Sequence, residues 1–314
     1  MILSMQQAIP PVDCVQGAFF SCVEQHVLNV AEAWFARGME IAETIFFVLL
    51  ALEMVVSGYN ALRKSGDPGD VLKLALAKVL VLGFIWLLLK TATSWMGVSL
   101  LEFPVQVPQG AAQELTQGPN LTPGKIIWLG MKLFGEIFKH LPAPGGYWMQ
   151  AITGLPAYIT GLALCLIGGI VVAGSYIKLA IDLLKATIEC YFSVGAGIVL
   201  VGFLSFRGTA PLGEGILRYV VTSALKLFFL LLVVYFMYQV GHGLLDTLNQ
   251  FGGDWMSAPA PVQTTTVSIG LLNTFFAMIT LAFLTLGLSS LPDRLAQSIT
   301  QGFTINIKRF LENL

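Results

Sequence analysis

From residue 158 to residue 177 the chain reads YITGLALCLIGGIVVAGSYI, a run without one charged side chain. A helix needs about 20 apolar residues to cross the ~30 Å hydrocarbon core of a bilayer, and this run has that length. Inside lipid a helix of this kind is satisfied as it stands, because every backbone polar group bonds within the segment. Composition extends the argument to the whole chain. Hydrophobic residues make up 56% and charged residues 11%, against roughly 45–50% and ~25% in soluble domains. Further apolar stretches cover residues 41–62, 71–90, 219–245 and 267–291, with Trp, Tyr and Phe near their ends, where amphipathic rings prefer the membrane interface. The expected fold class is all-α: a polytopic membrane protein with about five transmembrane helices.

Segments between these runs set the organisation. Residues 1–40 are expected to form an amino-terminal tail with an interfacial helix, since Val27, Val30, Ala31, Trp34 and Phe35 recur at helical spacing. The opening MILSMQQAIPPVDC lacks an apolar core of its own, so no cleavable signal peptide is expected. Residues 41–101 form a transmembrane hairpin about the turn SGDPGD. Residues 102–154, rich in Pro, Gly and Gln, form a water-facing insert. Residues 155–291 carry the remaining membrane core, and residues 292–314 a tail. No internal repeat is evident.

The run 191–206 is short for a span, so it either crosses or turns back. Cytoplasmic loops carry the Lys and Arg excess. If the run turns back and the amino terminus is outside, only Arg37, Lys125, Lys132 and Lys139 remain outside. Arg63, Lys64, Lys73, Lys178, Lys185, Arg207, Arg218, Arg294, Lys308 and Arg309 then lie inside. Crossing would export Arg207, Arg218 and the tail. The expectation is therefore a periplasmic amino terminus, a periplasmic insert, a cytoplasmic carboxyl terminus and a re-entrant or interfacial apolar hairpin at 191–206. Such a hairpin must be covered by neighbours, and Gly195, Ala196 and Gly197 would allow close approach.

Just before that hairpin, Lys178, Asp182, Lys185 and Glu189 recur at steps of four, three and four. Two readings stand. The stripe is a self-paired surface, since successive members match i,i+3 or i,i+4 ion-pair spacing; or it is a cytoplasmic docking stripe for a partner, or a wall of a passage in an oligomer. Charge inside the hairpin is costlier and faces a partner or a water-filled cavity. Glu53 and Lys78 each fall roughly 12–14 Å from the turn end at 1.5 Å per residue, so they are expected to form an intramembrane ion pair. Lys90 and Lys226, nearer span ends, are expected to snorkel.

In the insert, LTPGKIIWLGMKLFGEIFKHL predicts a helix to Leu141 with Thr122 as N-cap and Pro123 in its first turn. Lys125, Lys132 and Lys139 fall at seven-residue steps and make one edge of it basic. It lies on a membrane surface, packs within the subunit, or contributes a basic ring around a path. Cys14 and Cys22 fall in the outside tail, where an oxidising periplasm permits a disulfide between them; Cys165 and Cys190 read as packing residues. A net charge of -1 with scattered basic residues offers no nucleic-acid surface. There is no phosphate loop, no H-E-x-x-H and no G-x-S-x-G. His26, His140 and His242 are isolated, and no Cys/His spacing indicates zinc. No catalytic residue, metal site or cofactor is expected, and the chain does not read as an enzyme.

The charged helix end YIKLAIDLLKATIE, the short YFSVGAGIVLVGFLSF and then RGTAPLGEGILRYVVTSALKLFFLLLVVYF follow the early hairpin turn ALRKSGDPGD and the central insert. In the order and character of these pieces the chain resembles the polytopic inner-membrane subunits of conjugative type IV secretion systems, the TrbL-type or P-type conjugative transfer proteins of the VirB class. The resemblance covers most of the chain. It implies a homo-oligomeric ring, a homo-pentamer, in the bacterial inner membrane at the base of a stalk or pilus. The implied partners are a periplasmic stalk or pilus-tip protein, pilin, the cytoplasmic secretion ATPases and the lipid bilayer, with transient contact to translocating DNA or protein. The implied work is pilus biogenesis and substrate passage, driven by ATPases on other chains. Many members have a long cytoplasmic extension; here 23 residues follow Leu291, and roles attached to that extension are not carried over. A stand-alone small secondary transporter or channel is the competing reading, and a membrane scaffold without substrate contact a third.

Overall fold

The computed structural model describes residues 19–64, 68–91, 99–119, 121–139, 148–255 and 275–301. Among these the secondary structure is helical, without a strand. Helix α1 spans Phe19–Lys64, α2 Pro68–Thr91, α3 Phe103–Thr116, α4 Pro123–Lys139, α5 Trp148–Val201 and α6 Ala210–Trp255. Helix α7 covers 275–288 and, after a turn at 289–290, α8 spans Leu291–Gln301. Among the described residues four stretches are long and apolar enough to cross a membrane: Cys22–Asn60, Leu166–Ser205, Ala210–Asp246 and Phe275–Thr300. The protein is an all-α polytopic membrane protein.

The sequence breaks expected near residues 41 and 190 are absent. Helix α1 absorbs the interfacial lead-in and the first apolar run in 46 residues, about 69 Å at 1.5 Å per residue. Helix α5 runs 54 residues, about 81 Å, joining the uncharged run, the charged stripe and most of the short apolar run. Charge does not end a helix: Lys, Leu, Ala and Glu in KLAIDLLKATIE are all good helix formers. The turn expected within 191–206 lies at the end of that range, as a 3-10 turn, Gly202–Ser205. Phe206 is then extended (φ -124°, ψ 126°). Its carbonyl accepts from the amides of Thr209 and Ala210 at 3.0 and 2.8 Å, and the Thr209 hydroxyl donates to Phe203 O at 2.9 Å. Pro211 follows in the first turn of α6, where a missing N–H costs no helical bond.

The insert holds a helix that its composition conceals. Helix α3 carries Pro104 in its first turn and Pro108 inside it, both buried. Val105 and Ala112 bury its inner face, and it ends at Gln117, whose φ of 48° closes the last turn. Helix α4 starts as expected, with the Thr122 carbonyl accepting from Lys125 and Ile126. The predicted end at Leu141 lies outside the described residues.

The chain divides into two compact units. The first comprises Met1–Ala111, Lys185–Phe228 and Asp293–Leu314. Here the last turns of α5 run parallel to α1 at backbone contact. A Cβ on Gly195 would lie 3.1 Å from the Ala31 carbonyl oxygen, one on Gly202 2.6 Å from that of Ala42, and one on Gly38 2.5 Å from the Ile198 side chain. Trp34 meets Phe192 edge to face at 5.1 Å. On the other side, Gly197 faces Ile216 of α6, so α5 and α6 form a tight hairpin. Ala196 is exposed. Small residues thus set a close packing that needs no hydrophobic drive, as helix association in lipid requires.

The second unit comprises Ala112–Leu184 and Phe229–Pro292. Its centre is Tyr176, 1% exposed, whose hydroxyl donates to the Met237 carbonyl on α6 at 2.9 Å. Gly130 of α4 and Gly241 of α6 leave room for that ring. Ile126, Leu129 and Leu133 bury one side of α4, and Met278 of α7 packs against Gly168.

Candidate functional site: a buried charge node at the hairpin tip

Glu53 sits on α1 in the stretch FFVLLALEMVVSGY, and the α1–α2 reversal brings Lys78 of α2 against it. Glu53 Oε1 and Lys78 Nζ are 2.6 Å apart, with side-chain exposures of 0% and 3%. Ser57, one helical turn beyond Glu53, donates to the same Oε1 at 2.9 Å and accepts from Lys78 Nζ at 2.6 Å. A buried charge is tolerable only when paired and hydrogen-bonded, and this triangle meets both needs.

The second carboxylate oxygen is used differently. Oε2 accepts the backbone amide of Arg207 at 3.3 Å, and Arg207 Nε lies 3.7 Å from it. Arg207 belongs to the turn that joins α5 to α6. One carboxylate therefore fastens three elements: Oε1 holds α2, and Oε2 holds the hairpin tip. In the sequence Arg207 bears only on topology, and nothing there marks Ser57. The available signal was a lone arginine ending an uncharged apolar run, SVGAGIVLVGFLSFR, where an unpartnered charge would be costly.

The stripe is dispersed among neighbours. Lys178 donates to the Ser289 hydroxyl at 2.9 Å. Glu189 accepts from Tyr219 Oη at 2.8 Å and pairs with Lys226 at 2.9 Å. Asp182 is half-buried and Lys185 exposed. The uninterrupted helix also fixes direction: going from Glu189 towards Gly202, α5 follows α1 from about Ala31 to Ala42 and the tip then meets Glu53. Glu189 therefore lies beside the amino-terminal half of α1, remote from the α1–α2 turn. A shared face for the stripe and that turn, on which a cytoplasmic stripe depended, does not follow from this packing.

Lys226 does not snorkel. It is 20% exposed and bridges Glu189 Oε2 and Asp293 Oδ1, both at 2.9 Å, which ties the start of α8 to the hairpin. Of the region 292–314, the residues up to Gln301 belong to helix α8. Lys90 pairs with Glu43 at 2.7 Å in a half-exposed setting.

The model of the TrbL/VirB6 plasmid conjugal transfer protein family matches residues 50–283. The chain belongs to this family. No curated protein and no solved structure matches the chain. As a TrbL/VirB6 family member the protein is a component of a conjugal transfer, type IV secretion apparatus that works with other subunits, and the family with the four apolar helices points to the inner membrane. The matched region contains Glu53, Ser57, Lys78 and Arg207, together with the α5–α6 hairpin; α8 lies beyond it.

The remaining predicted positions of this TrbL/VirB6 chain stand apart from the node. Lys125 and Lys132 are exposed on α4, with Lys132 Nζ 5.1 Å from the centre of the Trp128 ring; the Lys139 side chain lies outside the described residues. Cys22 is disulfide-bonded, and Cys14 lies outside the described residues. Cys190 is a buried free thiol. His242 stacks edge to face on Tyr238 at 4.5 Å, and His26 is exposed.

Proposed function

We propose that this chain is the inner-membrane channel and assembly-platform subunit of a conjugative type IV secretion system. Five copies form a ring at the stalk base, which supports pilus biogenesis and the passage of DNA and protein substrate. The observation that carries this reading is the family match over residues 50–283, which takes in both the node and the hairpin it fastens. The amino terminus faces the periplasm with Cys14 and Cys22 bridged. The ring meets a periplasmic stalk or pilus-tip protein, pilin and the cytoplasmic secretion ATPases, and those ATPases supply the energy; this chain is not an enzyme. In the assembly the Glu53–Lys78–Arg207 node acts as a latch. It keeps the hairpin tip seated against α1 and α2, so that each subunit presents a fixed wall. Lys185, exposed like Lys178, is the member of the stripe proposed to meet another subunit.

The test is native mass spectrometry of the tagged protein from mild detergent, co-expressed with its neighbouring membrane and periplasmic subunits. It is paired with plasmid transfer from a donor strain that carries the gene deleted and restored. A closed ring with a periplasmic partner, and transfer restored by the wild-type gene, supports the reading. A monomer or dimer without partners, or full transfer in the deletion strain, overturns it and favours a stand-alone transporter built around Glu53 and Lys78.

A further inference from the structure

Helix α4 has two faces of different chemistry. Ile126, Leu129 and Leu133 are at most 1% exposed and pack into the second unit. On the opposite side Trp128 is 60% and Met131 53% exposed, and Lys132 holds its ammonium over the indole at 5.1 Å. Lys125 is exposed two turns earlier, on the same edge. A large exposed indole beside lysines is costly as a water-facing surface, and it is the composition that headgroup-level helices carry.

Position agrees with composition. Gly130, in the middle of α4, is seated on Tyr176: a Cβ there would fall 2.7 Å from the tyrosine Cβ and 3.8 Å from the Ala173 Cα. Tyr176 lies in the last turn of the uncharged run 158–177, and Lys178, exposed, follows it at once. The end of the uncharged run on α5 is thus where α4 crosses it. An amphipathic helix held at that level, with its outer face unburied, has lipid headgroups within reach.

We propose that the outer face of α4 is a binding surface for anionic phospholipid headgroups. Trp128 and Met131 enter the boundary layer, while Lys132 and Lys125 receive the phosphate oxygens. The inference rests on the membrane location of the chain and is independent of its role in conjugation. A second subunit covering the same face is the competing occupant. Lysines beside an apolar anchor match phosphate-bearing lipid better than they match a dry protein contact, from whose core lysine is depleted.

The experiment uses the full-length protein in nanodiscs of phosphatidylcholine alone or mixed with phosphatidylglycerol, with brominated acyl chains as quencher. The Trp128 signal is taken as wild type minus Trp128→Phe, with circular dichroism checking that the variant folds. Quenching of that difference signal by bromolipid is expected, more strongly in the anionic discs. Lys132→Gln should cut the anionic increment roughly fivefold, the factor for one lysine at a charged surface. Quenching by aqueous acrylamide and not by bromolipid, in both lipids, would place the face in water and overturn the proposal. Equal bromolipid quenching in both compositions would overturn the headgroup recognition. Loss of bromolipid quenching on cross-linking into the oligomer would assign the face to a protein neighbour, which also refutes it.

Discussion

Replacing Glu53 with Gln keeps shape and removes one negative charge, and the node predicts what that costs. Lys78, 3% exposed, would retain Ser57 as its hydrogen-bond partner but lose its counter-charge. Leaving a buried charge uncompensated costs about 3–5 kcal/mol; 4 kcal/mol is close to a thousandfold in a folding equilibrium. The converse change, Lys78→Met, is milder. Glu53 keeps the Ser57 hydroxyl at 2.9 Å, the Arg207 amide at 3.3 Å and the guanidinium at 3.7 Å, so a cost of about 1–3 kcal/mol is expected, as for a lost partner at a buried acceptor. In the double variant neither buried charge remains, and Arg207, 28% exposed, can turn towards water. The double variant should therefore be more stable than Glu53→Gln alone. The assay is thermal unfolding in detergent, with accumulation in membranes measured by immunoblot on the same variants. Costs that add within about 0.5 kcal/mol, or Lys78→Met harming the protein more than Glu53→Gln, would refute the latch.

Other expectations follow from contacts of the same kind. Gly202→Val places a side chain against the Ala42 carbonyl, where even a Cβ would be at 2.6 Å, and should cost about 1–3 kcal/mol as overpacking does. Gly215→Ala, with nothing within 4 Å, should be neutral or stabilise by up to ~1 kcal/mol; unfolding midpoints of the pair check this. Gly241→Ala would bring a methyl within 2.5 Å of the Tyr176 hydroxyl. Tyr176→Phe, costing about 1 kcal/mol alone for its lost bond to Met237, should partly rescue it in a double-mutant cycle. Lys226→Met should release α8, seen as faster amide exchange across residues 293–301, with a stability cost of about 1 kcal/mol or less because the pairs are partly exposed.

Much of the membrane fold is written locally. Uncharged runs of about twenty residues leave a chain few options, and Thr122 with Pro123 marks the start of α4 through groups that act only on their neighbours. Residues 103–116 show the limit of this reading. Proline and glutamine there suggest a loop, while the burial of Pro104, Val105, Pro108 and Ala112, which only packing supplies, makes a helix. The candidate site divides in the same way. Two opposite charges at equal depth on adjoining apolar runs make Glu53 and Lys78 legible as partners. That the other oxygen of Glu53 takes Arg207 is not legible, because the residues are 154 positions apart and meet only through the parallel course of α5 along α1.

What the solvent demands is legible along the chain: helices, their apolar lengths, the placement of rare charges and the family in which that order recurs. Tertiary structure decided where each helix ends, which way the hairpin points, and which partners Lys226 and Arg207 take. Solvent preference is a property of each side chain, summed along the chain. The close approach at Gly195 and Gly202 depends on what lies across the gap, and no local sum contains that.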